Sequence, residues 1–161
     1  MLLTKLRDFL DANEVKYVVL SHSLAYTAQG IAALAHIPGK ELAKTVIVKI
    51  DDALAMAVVP ASHRVDLEHL RTVLGVRRVE LASEREFRDK FPGCETGAMP
   101  PFGNLFAMKV FADESLAQDK EIAFNAGSHR ELIRMSWADY ETLVRPRMMK
   151  LAPGKLTETA A

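Results

Sequence analysis

Short segments in which apolar and polar residues alternate run through this chain, and such alternation predicts half-buried β-strands. In KTVIVKI, Val46, Val48 and Ile50 fall on one side of the extended backbone, and Asp51-Asp52 separates this segment from the apolar LAMAVVP. The two segments are therefore expected to form a β-hairpin. The same pattern predicts strands or extended segments at YVVL, VRRVEL, LFAMKVF, EIAFNA and HRELIRM.

Other segments carry apolar residues at helical spacing, beginning with residues 2 to 12. Each later helical segment follows a side chain that can cap a helix N-terminus. These caps are Thr27 before AQGIAALAHI, Asp66 before LEHLRTVLG, Ser83 before EREFRDKF and Ser136 before WADYETLV. Strands and helices together predict an α+β fold with a largely antiparallel or mixed sheet and peripheral helices. We expect a single domain over residues 1–161, with its core at about 20–146.

Charge and cysteine content narrow the functional classes. The chain has 161 residues, of which 21 are basic and 21 acidic, so its formal net charge is zero. A protein that wraps nucleic acid usually has a strong basic excess, and the balance here argues against that class. The single cysteine, Cys94, cannot form an internal disulfide, and no apolar run of 18 residues is present. A cytoplasmic protein without a membrane span is therefore expected.

Histidines are the first candidates for chemistry. The spacing of His63 and His69 does not place both imidazoles on one helical face, so no metal site is expected there. His22 follows a predicted strand and His129 lies between two strands, where binding residues often occur, although a role outside any site stays open for both. Ser128 and His129 are adjacent in an extended segment and point to opposite faces, which argues against a Ser–His dyad.

Lys44 opens the strand KTVIVKI, so its ammonium group is expected at a rim of the sheet. Such a lysine is either solvated or meets an anion or a carbonyl group. Cys94 could act as a nucleophile only as a thiolate, and the sequence shows no base beside it.

The segment ETGAMPPFGN combines two glycines with two prolines. Pro100 and Pro101 stiffen the backbone, whereas Gly97 and Gly103 allow a ligand to approach the main chain closely. The segment is therefore either a binding loop that presents fixed backbone groups or a tight turn.

Four segments together point to a known family: KTVIVK, VVPASHRVDL, GAMPPFGN and FNAGSHRELIRM. In their order and spacing the chain resembles the YbaK/EbsC family from about His22 to Pro146. This is the aminoacyl-tRNA deacylase fold that is also inserted in bacterial prolyl-tRNA synthetases as an editing domain. The resemblance implies a barrel-like sheet and a trans-editing enzyme without metal or cofactor. Such an enzyme hydrolyses the ester that joins a wrong, small amino acid to the 3′ end of tRNA.

The resemblance also implies roles for individual residues. Lys44 matches the family's lysine in the first core strand and Gly97 begins its glycine–proline loop, so both are expected to be catalytic. Water or a hydroxyl of the terminal ribose would attack with help from the substrate, without a side-chain nucleophile. The residues expected to bind the substrate are His22, Tyr26, Pro101, Phe102, Gly103, Gly127, Ser128 and His129.

The expected partner is the acceptor end of a mischarged tRNA, with an aminoacyl-tRNA synthetase as a further candidate and no membrane or DNA. The protein is expected to be a monomer or a weak homodimer. Pro100 stands where some family members have serine, which argues against a cysteinyl substrate and leaves alanyl, seryl and threonyl substrates open. Two other functions stay open: a catalytically weak module that binds tRNA or a synthetase, and a deacylase of small-molecule esters.

Overall fold

Two β-sheets form the framework of the computed structural model, which describes residues 3–21 and 41–152. The helix expected at AQGIAALAHI and the candidate residues His22 and Tyr26 lie outside the described residues. The strands are β1 (Tyr17–Ser21), β2 (Ala43–Ile50), β3 (Ala53–Pro60), β4 (Val79–Leu81), β5 (Lys109–Asp113), β6 (Glu121–Ser128), β7 (Glu131–Ser136) and β8 (Arg147–Met149). The helices are α1 (Thr4–Ala12), α2 (Leu67–Leu74), α3 (Glu84–Phe87) and α4 (Trp137–Val144).

The larger sheet has the strand order β4-β2-β3-β5-β8. Strands β2 and β3 form the predicted antiparallel hairpin, and both turn residues, Asp51 and Asp52, have positive φ angles of 45° and 72°. This backbone matches the type I′ turn that suits the twist of a hairpin. Strand β5 then pairs with β3 in parallel, and β8 pairs with β5 in parallel, so the sheet is mixed as predicted.

The smaller sheet has the order β1-β7-β6 and is antiparallel throughout. Leu42 forms an isolated parallel bridge with Ala123, which brings the start of β2 beside β6. The two sheets do not close into a barrel, so the barrel-like part of the predicted fold is wrong. A closed barrel needs every edge strand to be paired, and the three-residue edge strands β4 and β8 of the larger sheet pair with no described strand of the smaller sheet.

Three helix N-termini carry the predicted caps, whereas the helix expected over EREFRDKF ends early, at Phe87, and continues as a 3-10 helix over Arg88–Lys90. The Asp66 carboxylate accepts a hydrogen bond from the His69 N–H, and Ser83 and Glu86 form a reciprocal capping box. Ser136 accepts a hydrogen bond from the Asp139 N–H at the start of α4. Each cap satisfies backbone donors that have no partner inside the helix. No described helix is long and apolar enough to cross a membrane.

The strand predicted at LFAMKVF begins later than expected, at Lys109. The preceding residues Gly103–Leu105 form a 3-10 helix, and Ala107 has a positive φ of 56°. The Gly103 carbonyl accepts hydrogen bonds from both Phe106 N and Met108 N, each at 2.9 Å. These bonds turn the backbone here and occupy the N–H groups of Phe106 and Met108, which therefore cannot donate to a neighbouring strand.

Apolar side chains fill both faces of the larger sheet. On one face, Ile47 and Met56 belong to a core that also includes residues of the smaller sheet, α1 and α4. On the other face, Val48 and Val59 pack against Leu70 of α2. Because side chains alternate along a strand, Lys44 belongs to the face that α2 covers.

Candidate active site

A short loop is fastened to the end of β6 by paired backbone hydrogen bonds. Glu95 N donates to Gly127 O at 2.8 Å, and Gly127 N donates to Ala98 O at 2.9 Å. Ala98 N also donates to Glu95 O at 3.0 Å, which closes the loop on itself. Residues 95–98 are therefore held in one conformation by β6, as expected of a loop that presents its backbone to a ligand.

His129 lies beneath this loop and is 6% exposed. Its backbone N–H donates to Glu95 Oε1 at 3.2 Å, and its Nε2 lies 2.8 Å from Thr96 O. Because a carbonyl oxygen can only accept, the Nε2 atom carries the proton in this contact. Gly97 is exposed, has a φ of +87°, and a Cβ atom there would lie 3.3 Å from His129 Cε1. The fold thus places Gly97 directly over the imidazole.

Lys44 lies at the start of β2 and is partly buried. Burial lowers the pKa of its ammonium group, and the positive charge of Arg64 lowers that pKa further. Among the described residues, no carboxylate forms an ion pair with it. An ammonium group in such surroundings attracts an anion strongly, because no carboxylate within residues 3–21 and 41–152 is paired with it.

The strand β2 carries Lys44 alongside β6. Leu42 and Ala123 form a parallel bridge, and Ala123 N donates to Glu41 O at 3.0 Å. From this bridge both strands run in the same direction, β2 toward Lys44 and β6 toward Gly127. Lys44 and the Gly127 turn therefore extend toward the same side of the fold.

Pro101, Phe102 and Gly103 are buried below the loop. The Phe102 ring is fully buried and packs edge-on against Tyr140, whose hydroxyl donates to Pro101 O at 2.7 Å. A Cβ atom on Gly103 would overlap the Met108 carbonyl oxygen. In this structure the three residues lie in the core and support the loop from there.

Gly127 and Ser128 lie at the end of β6 and contact neighbouring parts of the protein there. Gly127 has a φ of +99°, and a Cβ atom there would lie 3.0 Å from Leu3 Cβ. Leu3 N donates to Ala126 O at 3.0 Å, so the residue before α1 seals this turn. Ser128 is buried, and its hydroxyl accepts a hydrogen bond from Arg130 N at 3.0 Å.

Asn125 is a candidate that the sequence reasoning missed. It alternates along β6 with Phe124 and Ala126, which face the core, so its side chain points to the opposite face with Ala123. Asn125 is 7% exposed, and no described residue donates a hydrogen bond to its Oδ1 atom. Buried polar atoms are normally paired, so an orphaned amide oxygen on this face suits a ligand donor. The sequence signal that could have identified Asn125 is its position inside the motif segment FNAGSH.

The other residues considered for chemistry, Cys94, Asp66 and His63, lie in surroundings that, among the described residues, do not activate them for catalysis or group them around a metal ion. Burial raises the pKa of the Cys94 thiol to about 11, so it is protonated at neutral pH. Asp66 caps α2, and the His63 Nδ1 atom lies 3.1 Å from Ser62 Oγ. Within residues 3–21 and 41–152, no three His, Cys, Asp or Glu side chains are grouped so that they could hold a metal ion.

Comparisons with known proteins show which family the chain resembles. Residues 22–143 match the family described as the aminoacyl-tRNA editing domain. The chain is 36% identical over 95 residues to the Multifunctional Ser/Thr-tRNA deacylase ProXp-y of Escherichia coli K12, a match that covers 58% of this chain and 56% of that protein. It is 29% identical over 87 residues to the proline--tRNA ligase of Bacillus cereus AH187, which covers 54% of this chain and 15% of the ligase.

The fold is similar to a crystal structure of a protein proposed to be a trans-editing enzyme for prolyl tRNA synthetase. The TM-score is 0.78 at 22% identity, over 93% of this chain and 96% of the other. The match to the deacylase spans little more than half of that relative's length, and the match to the ligase spans only a small part of it. The family match covers most of the chain, which confirms the resemblance found in the four sequence motifs. The chain belongs to the aminoacyl-tRNA editing domain family.

Proposed function

We propose that this protein is a trans-editing deacylase, which hydrolyses the ester between a small, wrongly attached amino acid and the 3′ end of tRNA. The observation that carries the proposal is Lys44, a partly buried ammonium group without a carboxylate partner among the described residues, on the same side as the loop over His129. Family membership supports the reaction class, and a relative named as a Ser/Thr-tRNA deacylase supports a small amino acid.

Lys44 would bind a phosphate of the terminal nucleotide or polarise the ester carbonyl. The partly buried position strengthens either interaction, since charges attract more strongly away from bulk water. An ester needs less activation than an amide, so positioning and electrostatics can supply much of the rate. Loss of one such preorganised group typically lowers kcat by roughly 10² to 10³.

Gly97 would form a wall of the site with its main chain, and His129 would act as a positioning residue through its hydrogen bond to Thr96. The Asn125 carboxamide oxygen would accept a hydrogen bond from the amino acid's ammonium or hydroxyl group. Attack would come from water with help from a hydroxyl of the terminal ribose. The protonated Cys94 thiol would take no part, because its pKa is about 11.

Small side chains pose the problem that such an enzyme solves. A synthetase pocket separates amino acids that differ by one methylene by only about 1–3 kcal/mol, so errors need a second, hydrolytic step. Alanyl, seryl and threonyl esters are the substrates to test, each on its wrongly paired tRNA. Release of labelled amino acid measures the reaction, and free aminoacyl esters serve as the comparison substrate.

Two glycine variants make the test of the site specific. Gly97→Ala and Gly75→Ala both place a side chain on a backbone with positive φ, +87° and +66°. Only Gly97 contacts a site residue, because nothing lies within 4 Å of a Cβ atom on Gly75. We expect similar losses of stability, of order 1 kcal/mol, and a large loss of deacylation in Gly97→Ala alone. Equal activity of the two variants would contradict the proposed site.

The protein is expected to need only a short part of the tRNA for binding and hydrolysis. The chain has zero net charge, so few phosphates can be neutralised, and the slope of log affinity against log salt should be on the order of one to three. A minihelix with only the acceptor stem should therefore be deacylated about as well as whole tRNA. A steep slope and a need for whole tRNA would instead favour a subunit that works while bound to a synthetase.

A further inference from the structure

A groove at the far end of the larger sheet carries positive charge. One cavity of about 280 Å³ is lined by Lys109, Arg145 and Arg147, and no acidic side chain is among the described residues that line it. A neighbouring cavity of about 390 Å³ shares Lys109 and Arg147 and is otherwise lined by apolar side chains. The two cavities share Lys109, Phe111 and Arg147 in their linings, and we refer to them together as the β5–β8 groove.

Strand pairing brings these cations together. Arg147 pairs with Phe111 in the parallel β5–β8 ladder, and Lys109 precedes Phe111 by two residues, so Lys109, Phe111 and Arg147 share one face. Arg145 follows α4 with a φ of +52°, and its N–H donates to Glu141 O at 2.8 Å, which fixes its backbone. Strand pairing therefore brings Lys109 to the same cavity as Arg145 and Arg147, although Lys109 is distant from both in sequence.

The charges of the β5–β8 groove are not neutralised within the part of the chain that the structure describes. Lys109, Arg145 and Arg147 are exposed, and none of them forms an ion pair with a described residue. The chain as a whole has equal numbers of acidic and basic residues, so this clustering is an uneven placement of charge. An acid-free lining with two guanidinium groups suits phosphate oxygens, which guanidinium groups bind in a bidentate manner.

The β5–β8 groove opens on the same face of the sheet as Lys44. Lys44 pairs with Val59, and Ala55, four residues earlier on β3, pairs with Lys109. Four residues along a strand span about 13 Å, and two strand spacings add about 10 Å across the sheet. The Cα atoms of Lys44 and Lys109 are therefore separated by ~16 Å, a distance that a few nucleotides of RNA can span.

We propose that the β5–β8 groove binds backbone phosphates in the stem of the RNA whose 3′ end occupies the site at Lys44. This assignment rests on the proposed deacylase function. The groove holds the stem through phosphate contacts and reads no sequence. It contributes to KM and to the salt dependence of binding, and it leaves the chemical step to the loop over His129.

The test compares two double variants that each remove two positive charges. Lys109→Gln/Arg147→Gln alters the groove, and Lys16→Gln/Lys120→Gln removes two exposed lysines elsewhere. The probe is a fluorescent RNA hairpin that carries no amino acid and has an acceptor stem and a single-stranded CCA end. Its binding is measured by fluorescence anisotropy at salt concentrations from about 0.05 M to about 0.5 M. Thermal melting confirms that both variants fold.

The groove variant is expected to lower the salt slope by about 1.4–1.8, because each lost phosphate contact removes about 0.7–0.9. If affinities converge near 1 M salt, its binding at about 0.1 M falls roughly 25- to 60-fold, while the control changes little. With mischarged minihelix as substrate, KM should rise and kcat should stay. Hydrolysis of an aminoacylated CCA trinucleotide, which has no stem, should be unaffected.

The outcomes separate the groove from the proposed function. Equal binding by the two double variants overturns the groove, whether or not the wild type deacylates tRNA. Wild-type protein that binds the hairpin through the groove but hydrolyses no aminoacyl-tRNA overturns the deacylase and keeps the RNA site. Displacement of the hairpin by poly-glutamate at equal charge concentration would overturn the assignment to RNA, because it would favour an acidic peptide.

Discussion

Replacement of Lys44 by methionine should separate catalysis from stability. The side chain keeps its length and loses its charge, so the anion or carbonyl that the ammonium group is proposed to hold loses its partner. We expect kcat/KM for mischarged tRNA to fall roughly 10²- to 10³-fold, a loss of ~2.7–4 kcal/mol of transition-state stabilisation. Labelled amino acid release under single-turnover conditions measures the chemical step directly.

The same substitution, Lys44→Met, should leave the thermal stability of the protein unchanged or raise it. Burial and Arg64 lower the pKa of Lys44 in the folded protein, so the unfolded chain binds this proton more tightly than the folded one. The charge therefore opposes folding at pH 7, and Lys44→Met should melt at the same temperature as the wild type or higher. The wild type should gain stability as pH rises between the lowered pKa and 10.5, and the variant should lack that gain.

Lys49 provides the matched control on the same strand. Its Nζ atom lies 2.6 Å from Glu86 Oε2, and this hydrogen bond raises its pKa above 10.5. The stabilisation by this pair is present below pH 10.5 and is lost as pH rises through the raised pKa. Lys49→Met should therefore melt slightly lower at pH 7 and keep full activity. A folded Lys44→Met with near wild-type turnover, or one less stable than Lys49→Met, would refute the reasoning.

Three further predictions concern the loop and its support. Gly103→Ala should lower the unfolding free energy by about 1–3 kcal/mol or more, measured in urea, because the added Cβ overlaps the Met108 carbonyl. Tyr140→Phe should cost about 1–3 kcal/mol, since Pro101 O loses its buried donor while the ring packing is retained; an unchanged urea midpoint would contradict this. Cys94→Ala should keep deacylation, and iodoacetamide should inactivate the wild type only slowly at pH 7, because the thiol pKa is about 11; rapid inactivation that the variant resists would show a reactive thiol.

Local patterns predicted the elements whose causes are themselves local. The hairpin at Asp51-Asp52 follows from two apolar strands and two residues that tolerate positive φ. The caps at Asp66, Ser83 and Ser136 were readable because capping joins residues three apart in sequence. The family was readable for a related reason, since its four motifs are contiguous segments.

The sequence alone was wrong where backbone hydrogen bonds and strand pairing, which the apolar pattern does not encode, decide the backbone. LFAMKVF alternates like a strand, yet the Gly103 carbonyl turns its first half into a 3-10 helix and a bend. The expected barrel failed because closure depends on how the edge strands β4 and β8 pair and end, which no local pattern encodes.

Tertiary structure alone also decided which polar groups share an environment. Lys44 and Lys49 have the same side chain on one strand, but only the fold places one beside Arg64 and the other beside Glu86. Asn125 became a candidate because β6 turns its amide away from the core and leaves Oδ1 without a donor among the described residues. Sequence determined the chemistry that each residue can perform, whereas strand pairing determined its neighbours, because burial and electrostatic fields arise from residues that are distant along the chain.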